Sequence, residues 1–200
     1  MPDGTGPQAA EIRRSGNVEA RSLGIEGPLL VSVRRFADAR GAFVETYSRR
    51  DFAAVGIPDE FVQDNQSMSV AIGTVRGLHF QLRPHAQGKL VRVLRGRVLD
   101  VAVDLRAASP SFGRHVAVEL SALNGQMLWV PPGFAHGFAT RETETEVAYK
   151  VTALYAPDCD RALAWDDAAL GIDWGLAAAD ATLSDKDRRA PLLADLGPAF

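Results

Sequence analysis

Three polar residues in two neighbouring apolar stretches have the types and the spacing for acid–base chemistry. They are His79, Gln81 and Lys89, within GTVRGLHFQLRPHAQGKLVRVLRG (73–96). Side chains alternate between the two faces of a strand, so His79 and Lys89 can both point into the interior of a barrel. A neutral imidazole is a general base near pH 7, and an ammonium group stabilises an enolate. The pair therefore predicts removal of a proton next to a ketone.

Inversion at such a carbon needs a second group that returns a proton to the opposite face. Tyr149, in TEVAYKV (145–151), lies on the same side of its predicted strand as Val147 and Val151. Its phenol can donate that proton. Together with His79 and Lys89 it predicts epimerisation next to a ketone.

Composition limits what such a site can act on. The chain has 200 residues, of which 46% are hydrophobic and 24% charged, so one domain with a sizeable core is expected. A net charge of −3 gives no general basic field, which argues against nucleic acid and for a small-molecule ligand. Cys159 is the single cysteine, and the sequence shows neither a signal-peptide pattern nor an apolar run of membrane length. We expect a cytoplasmic protein without a membrane segment.

The elements that position these residues are predicted to be strands. From Pro28 onward, β-branched and aromatic residues alternate with turn residues at the spacing of a sandwich or barrel. PLLVSVRRF (28–36) and GAFVETY (41–47) predict a first hairpin, and VLDVAVDL (98–105) alternates strictly, which predicts one buried face.

Helices are predicted to be few. RRDFAAVGI (49–57) can form one or two helical turns, and a longer helix is expected only in DATLSDKDRRAPLLADL (180–196), which Pro191 interrupts. Residues 1–24 mix Gly, Pro and charge with almost no apolar periodicity. We therefore expect a disordered extension over residues 1–24 and a single domain over residues 25–200.

The stretch GQMLWVPPGFAHGF (125–138) resembles the second motif of the cupin superfamily, whose double-sheet jelly-roll barrels hold small ligands. In the first cupin motif, His-x-His and a Glu bind a metal, whereas this chain has Gln81 and Lys89 at the positions of the second His and the Glu. A charged Lys has no lone pair for a metal and repels it. The expected fold is an all-β, cupin-type double-sheet jelly roll with short peripheral helices, and neither a metal nor another cofactor is expected.

Seven strings occur together in an order that resembles the dTDP-4-dehydrorhamnose 3,5-epimerase family, the metal-free cupins of dTDP-L-rhamnose synthesis. The resemblance runs from about Leu29 to Leu193. It implies that His79 is the base, that Asp187 pairs with it, and that Lys89 and Tyr149 complete the catalytic set. The strings are RGLHFQ, QGKLV, DVAVDLR, SPSFG, WVPPGFAHGF, EVAYKVT and LSDKDRRAPLL.

The same resemblance implies a substrate and an assembly. The substrate is a dTDP-4-keto-6-deoxy sugar, and the assembly is a homodimer in which residues of the partner chain help to hold thymidine. The chain departs from the family at Asp160, where a Glu is expected, and at Leu154, where many members have a tyrosine. The implied substrate contacts are Arg40, Glu45, Gln63, Asp64, Asn65, Arg76, His136, Tyr155, Asp160 and Lys186.

The predicted reaction is epimerisation of dTDP-4-dehydro-6-deoxy-D-glucose at carbons 3 and 5, giving dTDP-4-dehydro-L-rhamnose. One alternative is a single-site 5- or 3-epimerase of a related dTDP-4-keto-deoxysugar. Two further alternatives belong to other classes: a metal-dependent cupin oxygenase or isomerase, and a non-catalytic sugar-binding barrel. For His136 alone, a role in satisfying buried backbone groups beside Pro131 is the alternative to a substrate contact.

Overall fold

The computed structural model describes residues 10–197 and 199–200. These residues form fourteen strands and two short α-helices. In chain order they are β1 (Ile12–Ser15), β2 (Val18–Ser22), β3 (Leu29–Val33), β4 (Arg35–Asp38), β5 (Gly41–Val44), α1 (Arg49–Ala54), β6 (Gln63–Ser69), β7 (Val75–Gln81), β8 (Lys89–Arg95), β9 (Arg97–Asp104), β10 (His115–Ser121), β11 (Met127–Val130), β12 (Phe134–Thr140), β13 (Thr145–Val151), β14 (Asp160–Ala162) and α2 (Asp185–Arg188).

Two antiparallel sheets face each other across the main core. One sheet has the strand order β1-β2-β3-β11-β8-β13-β6, and the other has the order β10-β9-β12-β7-β14. Val91 and Leu128 of the first sheet pack with Ala102 and Phe134 of the second. The prediction of an all-β, double-sheet jelly roll with short peripheral helices is confirmed.

Strand β9 differs from its prediction, because both of its faces are buried. Ala102 faces the core between the sheets, whereas Val101 lies in a second cluster with Trp165 and Trp174. The C-terminal segment folds back over the outer face of the smaller sheet, so alternating residues there meet protein instead of solvent. Asp100 shares the inward face with Ala102 and is completely buried between the sheets.

The expected disorder of residues 1–24 is wrong for the part that the structure describes. Strand β2 pairs in register with β3 and with β1, and its Val18 and Ala20 are buried. The hydroxyl of Ser15 donates a hydrogen bond to Asp51 Oδ1 of helix α1, at 3.0 Å. The strand is only five residues long and alternates small apolar with charged residues, too short a pattern to stand out in the sequence. Residues 1–9 lie outside the described residues.

The other predicted elements are recovered with shifted bounds. The first hairpin consists of β4 and β5 as a separate two-stranded sheet, while β3 instead pairs with β2 and β11. Helix α1 forms where it was predicted and buries Phe52. Near the C-terminus the α-helix is confined to the four residues of α2. Neither helix, nor any other in the described part of the chain, has the length and apolarity to cross a membrane.

Candidate active site

A pocket of about 190 Å³ lies where the two sheets face each other, and eight of the fourteen predicted site residues line it. Strand β7 of the smaller sheet supplies His79, while β8 and β13 of the larger sheet supply Lys89 and Tyr149. The predicted catalytic groups therefore approach one space from opposite sheets. The other five that line the pocket are Gln63, Asn65, Tyr155, Asp160 and Lys186.

His79 is paired with a buried carboxylate. Its Nε2 lies 2.5 Å from Oδ1 of Asp187, which helix α2 carries. Ser184 precedes the helix, and its side chain accepts the backbone N–H of Asp187 at 3.1 Å. Burial by itself would raise the pKa of Asp187, but hydrogen bonds and attraction from His79 outweigh it and hold the pKa below its ordinary value. Asp187 is thus an anion that orients His79.

This pairing decides which ring nitrogen can accept a proton. An ionised carboxylate only accepts hydrogen bonds, so the neutral ring of His79 carries its hydrogen on Nε2. Its Nδ1 then has the free lone pair. Asp187 also stabilises the imidazolium that forms when Nδ1 takes up a proton. The arrangement is that of a general base with a fixed orientation.

Lys89 is almost entirely buried and is tied to the histidine strand. Its Nζ donates a hydrogen bond to the backbone carbonyl of His79, at 3.1 Å. Burial lowers the pKa of Lys89 to about 8, against the attraction of Asp160 and Asp100. At neutral pH the side chain is therefore a poorly hydrated ammonium group beside the base, where its charge acts strongly on a nearby oxygen.

Tyr149 lies across from the centre of β8. Its register partner is Val91, and Lys89 lies two residues before Val91 on the same strand, so the side chains of Tyr149 and Lys89 share a face. Burial raises the pKa of the Tyr149 phenol. The group therefore keeps its proton at neutral pH, as an acid that protonates carbon must.

Three side chains form a charged and aromatic rim on the pocket. Lys186 Nζ lies 2.5 Å from Asp160 Oδ2, and the hydroxyl of Tyr155 donates to the same oxygen at 3.3 Å. Tyr155 as a whole is 58% exposed. A planar apolar surface beside fixed charges suits a ligand with both a flat ring and polar groups.

Asp64 and Arg76 are not on the wall of this pocket. Asp64 borders an adjoining cavity of about 430 Å³, whose lining shares Asn65 and Tyr149 with the first pocket. The Asp64 carboxylate accepts a hydrogen bond from Lys150 Nζ at 2.9 Å. Arg76 donates to the side chain of Ser69 at 3.0 Å. Their substrate contacts stay predictions.

Arg40 and Glu45 are also outside the pocket. Arg40 lies at the turn of the exposed β4–β5 hairpin, where it pairs with Asp38 at 2.6 Å. Glu45 directly follows the hairpin. The structure does not bring either side chain to the pocket of its own chain.

His136 is buried between the sheets and satisfies a carboxylate, not backbone groups. Its Nε2 is 2.9 Å from Asp100 Oδ1, and it lies opposite His79 in the pairing of β12 with β7. Among the described residues, Asp100 Oδ2 has no hydrogen-bond partner. A direct substrate contact of His136 stays a prediction.

The residues at the metal positions of a cupin do not fit a metal ion. Gln81 uses its amide on backbone groups, with Nε2 2.7 Å from the carbonyl of His85, and Lys89 is cationic. Across the described ranges, no three His, Cys, Asp or Glu side chains converge in a way that could hold a metal.

Gln87 and Phe80 also line the pocket, although no pattern in the sequence predicted either residue there. Phe80 has the strand parity of an outward-facing residue, and Gln87 lies in a loop. Gln81 lines the pocket as well, and the sequence pattern predicted its place beside His79 but not its bonds to loop backbone. Contacts between a side chain and the backbone of a distant loop leave no periodic signal in a sequence.

Comparisons with known proteins identify the family of the chain. A family model described as dTDP-4-dehydrorhamnose 3,5-epimerase matches residues 22–195. A dTDP-4-dehydrorhamnose 3,5-epimerase of Sinorhizobium fredii is 50% identical over 184 residues, covering 90% of this chain and 92% of that protein. These matches confirm the resemblance that the motifs predicted.

Solved structures of proteins named as epimerases of this kind have the same fold. The crystal structure of a dTDP-4-dehydrorhamnose 3,5-epimerase from Elizabethkingia anophelis superimposes with a TM-score of 0.86 at 39% identity, over 92% of this chain and all of that one. A dTDP-6-deoxy-D-glucose-3,5-epimerase from Legionella pneumophila, in complex with dTDP-4-keto-L-rhamnose, gives a TM-score of 0.82 at 40% identity, over 94% and 95% of the two chains.

Proposed function

Because the chain belongs to the dTDP-4-dehydrorhamnose 3,5-epimerase family, a family of isomerases, we propose that it inverts carbons 3 and 5 of dTDP-4-dehydro-6-deoxy-D-glucose. The product is dTDP-4-dehydro-L-rhamnose, an intermediate of dTDP-L-rhamnose synthesis. The observation that carries the proposal is that His79 of the smaller sheet, paired with Asp187 of helix α2, faces Lys89 and Tyr149 of the larger sheet.

Proton removal is assigned to His79. Both carbons 3 and 5 are adjacent to the 4-keto group, so their C–H bonds are weakly acidic. Nδ1 of His79 takes the proton, the electron pair of the C–H bond forms the carbon–carbon double bond of an enolate, and the keto oxygen becomes negative. Asp187 stabilises the imidazolium through Nε2.

Stabilisation of the enolate oxygen is assigned to Lys89. The ammonium is fixed by its bond to the His79 carbonyl and is shielded from water, so it stabilises a negative oxygen more than a solvated lysine would. A metal ion performs this task in many other enzymes. Here the charge belongs to the chain itself.

Reprotonation is assigned to Tyr149. Its phenol gives a proton to the opposite face of the carbon from which His79 removed one, the double bond returns to the keto group, and the configuration is inverted. The two carbons are processed in turn, with the sugar ring changing its orientation between the steps. Tyr149 lies on the sheet opposite to that of His79, as this division of roles requires.

Binding of the nucleotide is assigned to the rim of the pocket and to charged residues beyond it. Tyr155, with Asp160 and Lys186, presents the flat and charged surface described above. Bidentate hydrogen bonds from arginines suit diphosphate oxygens. The remaining proposed contacts are Gln63, Asp64, Asn65, Arg76 and His136, with Arg40 and Glu45 acting across a homodimer.

The homodimer is proposed from the position of one hairpin. Strands β4 and β5 form a separate sheet whose Phe36 and Phe43 are exposed, and Arg40 lies at its turn. In a two-fold dimer this hairpin can lie on the partner and bring Arg40 and Glu45 to the partner's pocket. Molar mass by light scattering, together with the activity of Arg40→Ala mixed with an inactive His79→Ala protein, tests this arrangement.

Proton NMR of dTDP-4-dehydro-6-deoxy-D-glucose in deuterated water tests the reaction directly. The expected result is solvent deuterium at carbons 3 and 5, with inversion at both. His79→Ala should abolish the exchange, and His115→Ala, at the start of β10, serves as the histidine control. Exchange and inversion at only one carbon would establish the single-site alternative, and no exchange with intact ligand binding would establish a binding barrel.

A further inference from the structure

Three glutamines border the pocket without belonging to the acid–base set. Gln63 begins β6, Gln81 ends β7, and Gln87 lies in the loop before β8. All three line the pocket that holds His79 and Lys89. They come from separate elements, yet their side-chain amides bond to the same short segment.

That segment is residues 153–156, which follows β13 and carries Tyr155. Gln87 Nε2 donates to the carbonyl of residue 153 at 2.7 Å, and Gln81 Nε2 donates to the carbonyl of residue 154 at 3.2 Å. Gln63 Oε1 accepts from the backbone N–H of Tyr155 at 3.1 Å, and Gln81 Oε1 accepts from that of residue 156 at 2.9 Å. Four consecutive residues are thus held by side-chain amides.

Side-chain amides here replace a β-ladder. The last ladder pair of β13 with β8 is Val151 with Lys89, and Thr152 N–H then bonds to the Gly88 carbonyl at 3.1 Å. Beyond this point the segment belongs to no strand. Backbone groups that are not in a ladder need other partners, and here the glutamines provide them.

Gln81 also joins the loop between β7 and β8 to the segment 153–156. It is only 3% exposed, and its Nε2 donates to the carbonyl of His85 as well as to residue 154. Its side chain therefore uses both amide hydrogens and its oxygen. Since Gln81 is two residues from His79 on one strand, the position of the Tyr155 segment is tied to that of the base.

We propose that Gln81 and Gln87 are positioning residues that fix the ring of Tyr155 at a set distance from His79, as a stacking surface for the planar base of the nucleotide. The proposal rests on the proposed function, because it assumes a nucleotide-sugar ligand. Neither glutamine needs to touch the substrate for this role. Both act through the backbone of residues 153–156.

The role predicts a specific kinetic signature. A displaced Tyr155 weakens binding of the nucleotide, which is distant from the carbons that react. Loss of one neutral hydrogen bond should raise the Kd for dTDP and the KM about fivefold. The rate constant kcat for proton exchange, measured at saturating substrate, should change less than KM does, because the His79–Asp187 pair stays in place.

The experiment compares Gln87→Met and Gln81→Met with the full-length wild-type protein. Methionine has nearly the length of glutamine but forms no amide hydrogen bond. Calorimetric titration with dTDP gives Kd, and NMR exchange gives KM and kcat. Gln126→Met is the matched control, because Gln126, just before β11, is partly buried and its side-chain amide bonds, among the described residues, to Ser32 alone, at 3.4 Å.

The outcomes separate this proposal from the proposed function. If wild-type protein shows no exchange, the proposed function fails. If wild-type protein is active and Gln87→Met binds dTDP as tightly as Gln126→Met does, the positioning role is refuted. A fall in kcat with unchanged KM would refute it as well. Gln87 is less buried than Gln81, so Gln87→Met alone decides the matter if Gln81→Met does not fold.

Discussion

His79 and Asp187 are 108 positions apart in the chain, and their side chains meet at 2.5 Å. The contact joins a strand of the smaller sheet to a four-residue helix near the C-terminus. It makes the orientation of the His79 ring dependent on a segment outside both sheets. The first prediction follows from this contact.

Asp187→Asn should lower the rate of deuterium exchange about 100-fold or more, the lower range for loss of a general base. An asparagine amide can donate to Nε2, which would leave the hydrogen on Nδ1 and remove the lone pair that faces the substrate. Asp185→Asn, at an exposed position of the same helix, is the control and should stay within twofold of wild type. Equal rates for the two variants would contradict the pairing role.

Tyr149→Phe should separate exchange from inversion. Removal of the proton by His79 does not require the phenol, so deuterium should still enter from the face of the base. Inversion should fall about 100-fold, because no acid remains on the opposite face. NMR of the sugar distinguishes the two signals, and Tyr47→Phe, in the cluster with Phe52 and Phe61, is the tyrosine control. Normal inversion in Tyr149→Phe would require another acid.

The pH profile should report the protonation of Lys89. Burial lowers its pKa to about 8, so the ammonium form is lost as pH rises through that value. The quantity kcat/KM should therefore fall above about pH 8, since only the ammonium stabilises the enolate. Lys89→Met should lose most of the activity and with it this limb of the profile. A wild-type profile that stays flat up to pH 10 would show that Lys89 is not the group responsible.

The same residue should reduce the stability of the fold. Its pKa of about 8 in the folded protein is below the ordinary value of 10.5, so the unfolded chain binds the proton more tightly between these values. The free energy of unfolding therefore rises with pH from about 8 to 10.5. Below pH 8 the whole cost of burying the charged Lys89 is present. At pH 7, Lys89→Met should raise the free energy of unfolding by about 2 kcal/mol, the cost of burying the charge less one hydrogen bond.

Urea unfolding at pH 7 and at pH 10.5 checks this effect. The difference between Lys89→Met and wild type should shrink at the higher pH, where the folded wild-type chain has lost the proton and the unfolded chain has lost about half of it. A difference that is unchanged between the two pH values would mean that shape, and not charge, determines the stability of the variant.

Gly77→Ala should unfold or strongly destabilise the protein. Gly77 has φ 129°, and an added Cβ would lie 2.5 Å from Gly137 Cα and 2.8 Å from the carbonyl oxygen of His136. Strands β7 and β12 would have to separate, so we expect a loss of more than about 2 kcal/mol. Gly24→Ala is the control, because φ is 78° there but the added Cβ meets no described atom within 4 Å. Similar losses in both variants would show that backbone conformation alone, without the close approach, explains the cost.

The part of the site that depends on strand parity could be predicted from the sequence. His79, Lys89 and Tyr149 share the interior because side chains alternate with period two, and that period is visible in the amino-acid pattern. The pairing with Asp187 followed from family motifs alone, since nothing local distinguishes this residue from Asp185. The structure supplies the physical reason, because only Asp187 is buried against His79.

Other features depend on contacts between distant parts of the chain. The second buried face of β9 requires Trp165 and Trp174 to fold back over it, and no pattern within the strand encodes that cover. Likewise β2 is stable because β3 lies beside it, not because its own five residues strongly favour a strand. Tertiary context overrides local preference in both cases.

Through Lys89, ligand binding is also linked to proton uptake. Near pH 8 the empty pocket contains a mixture of ammonium and amine at this position. An anionic oxygen placed beside Nζ favours the ammonium form, so binding at that pH takes protons from the surrounding buffer. The observed binding heat then includes the ionisation heat of the buffer, and the affinity falls with rising pH even when the ligand itself does not titrate. A ligand that places an anionic oxygen beside Nζ is therefore expected to bind together with a proton.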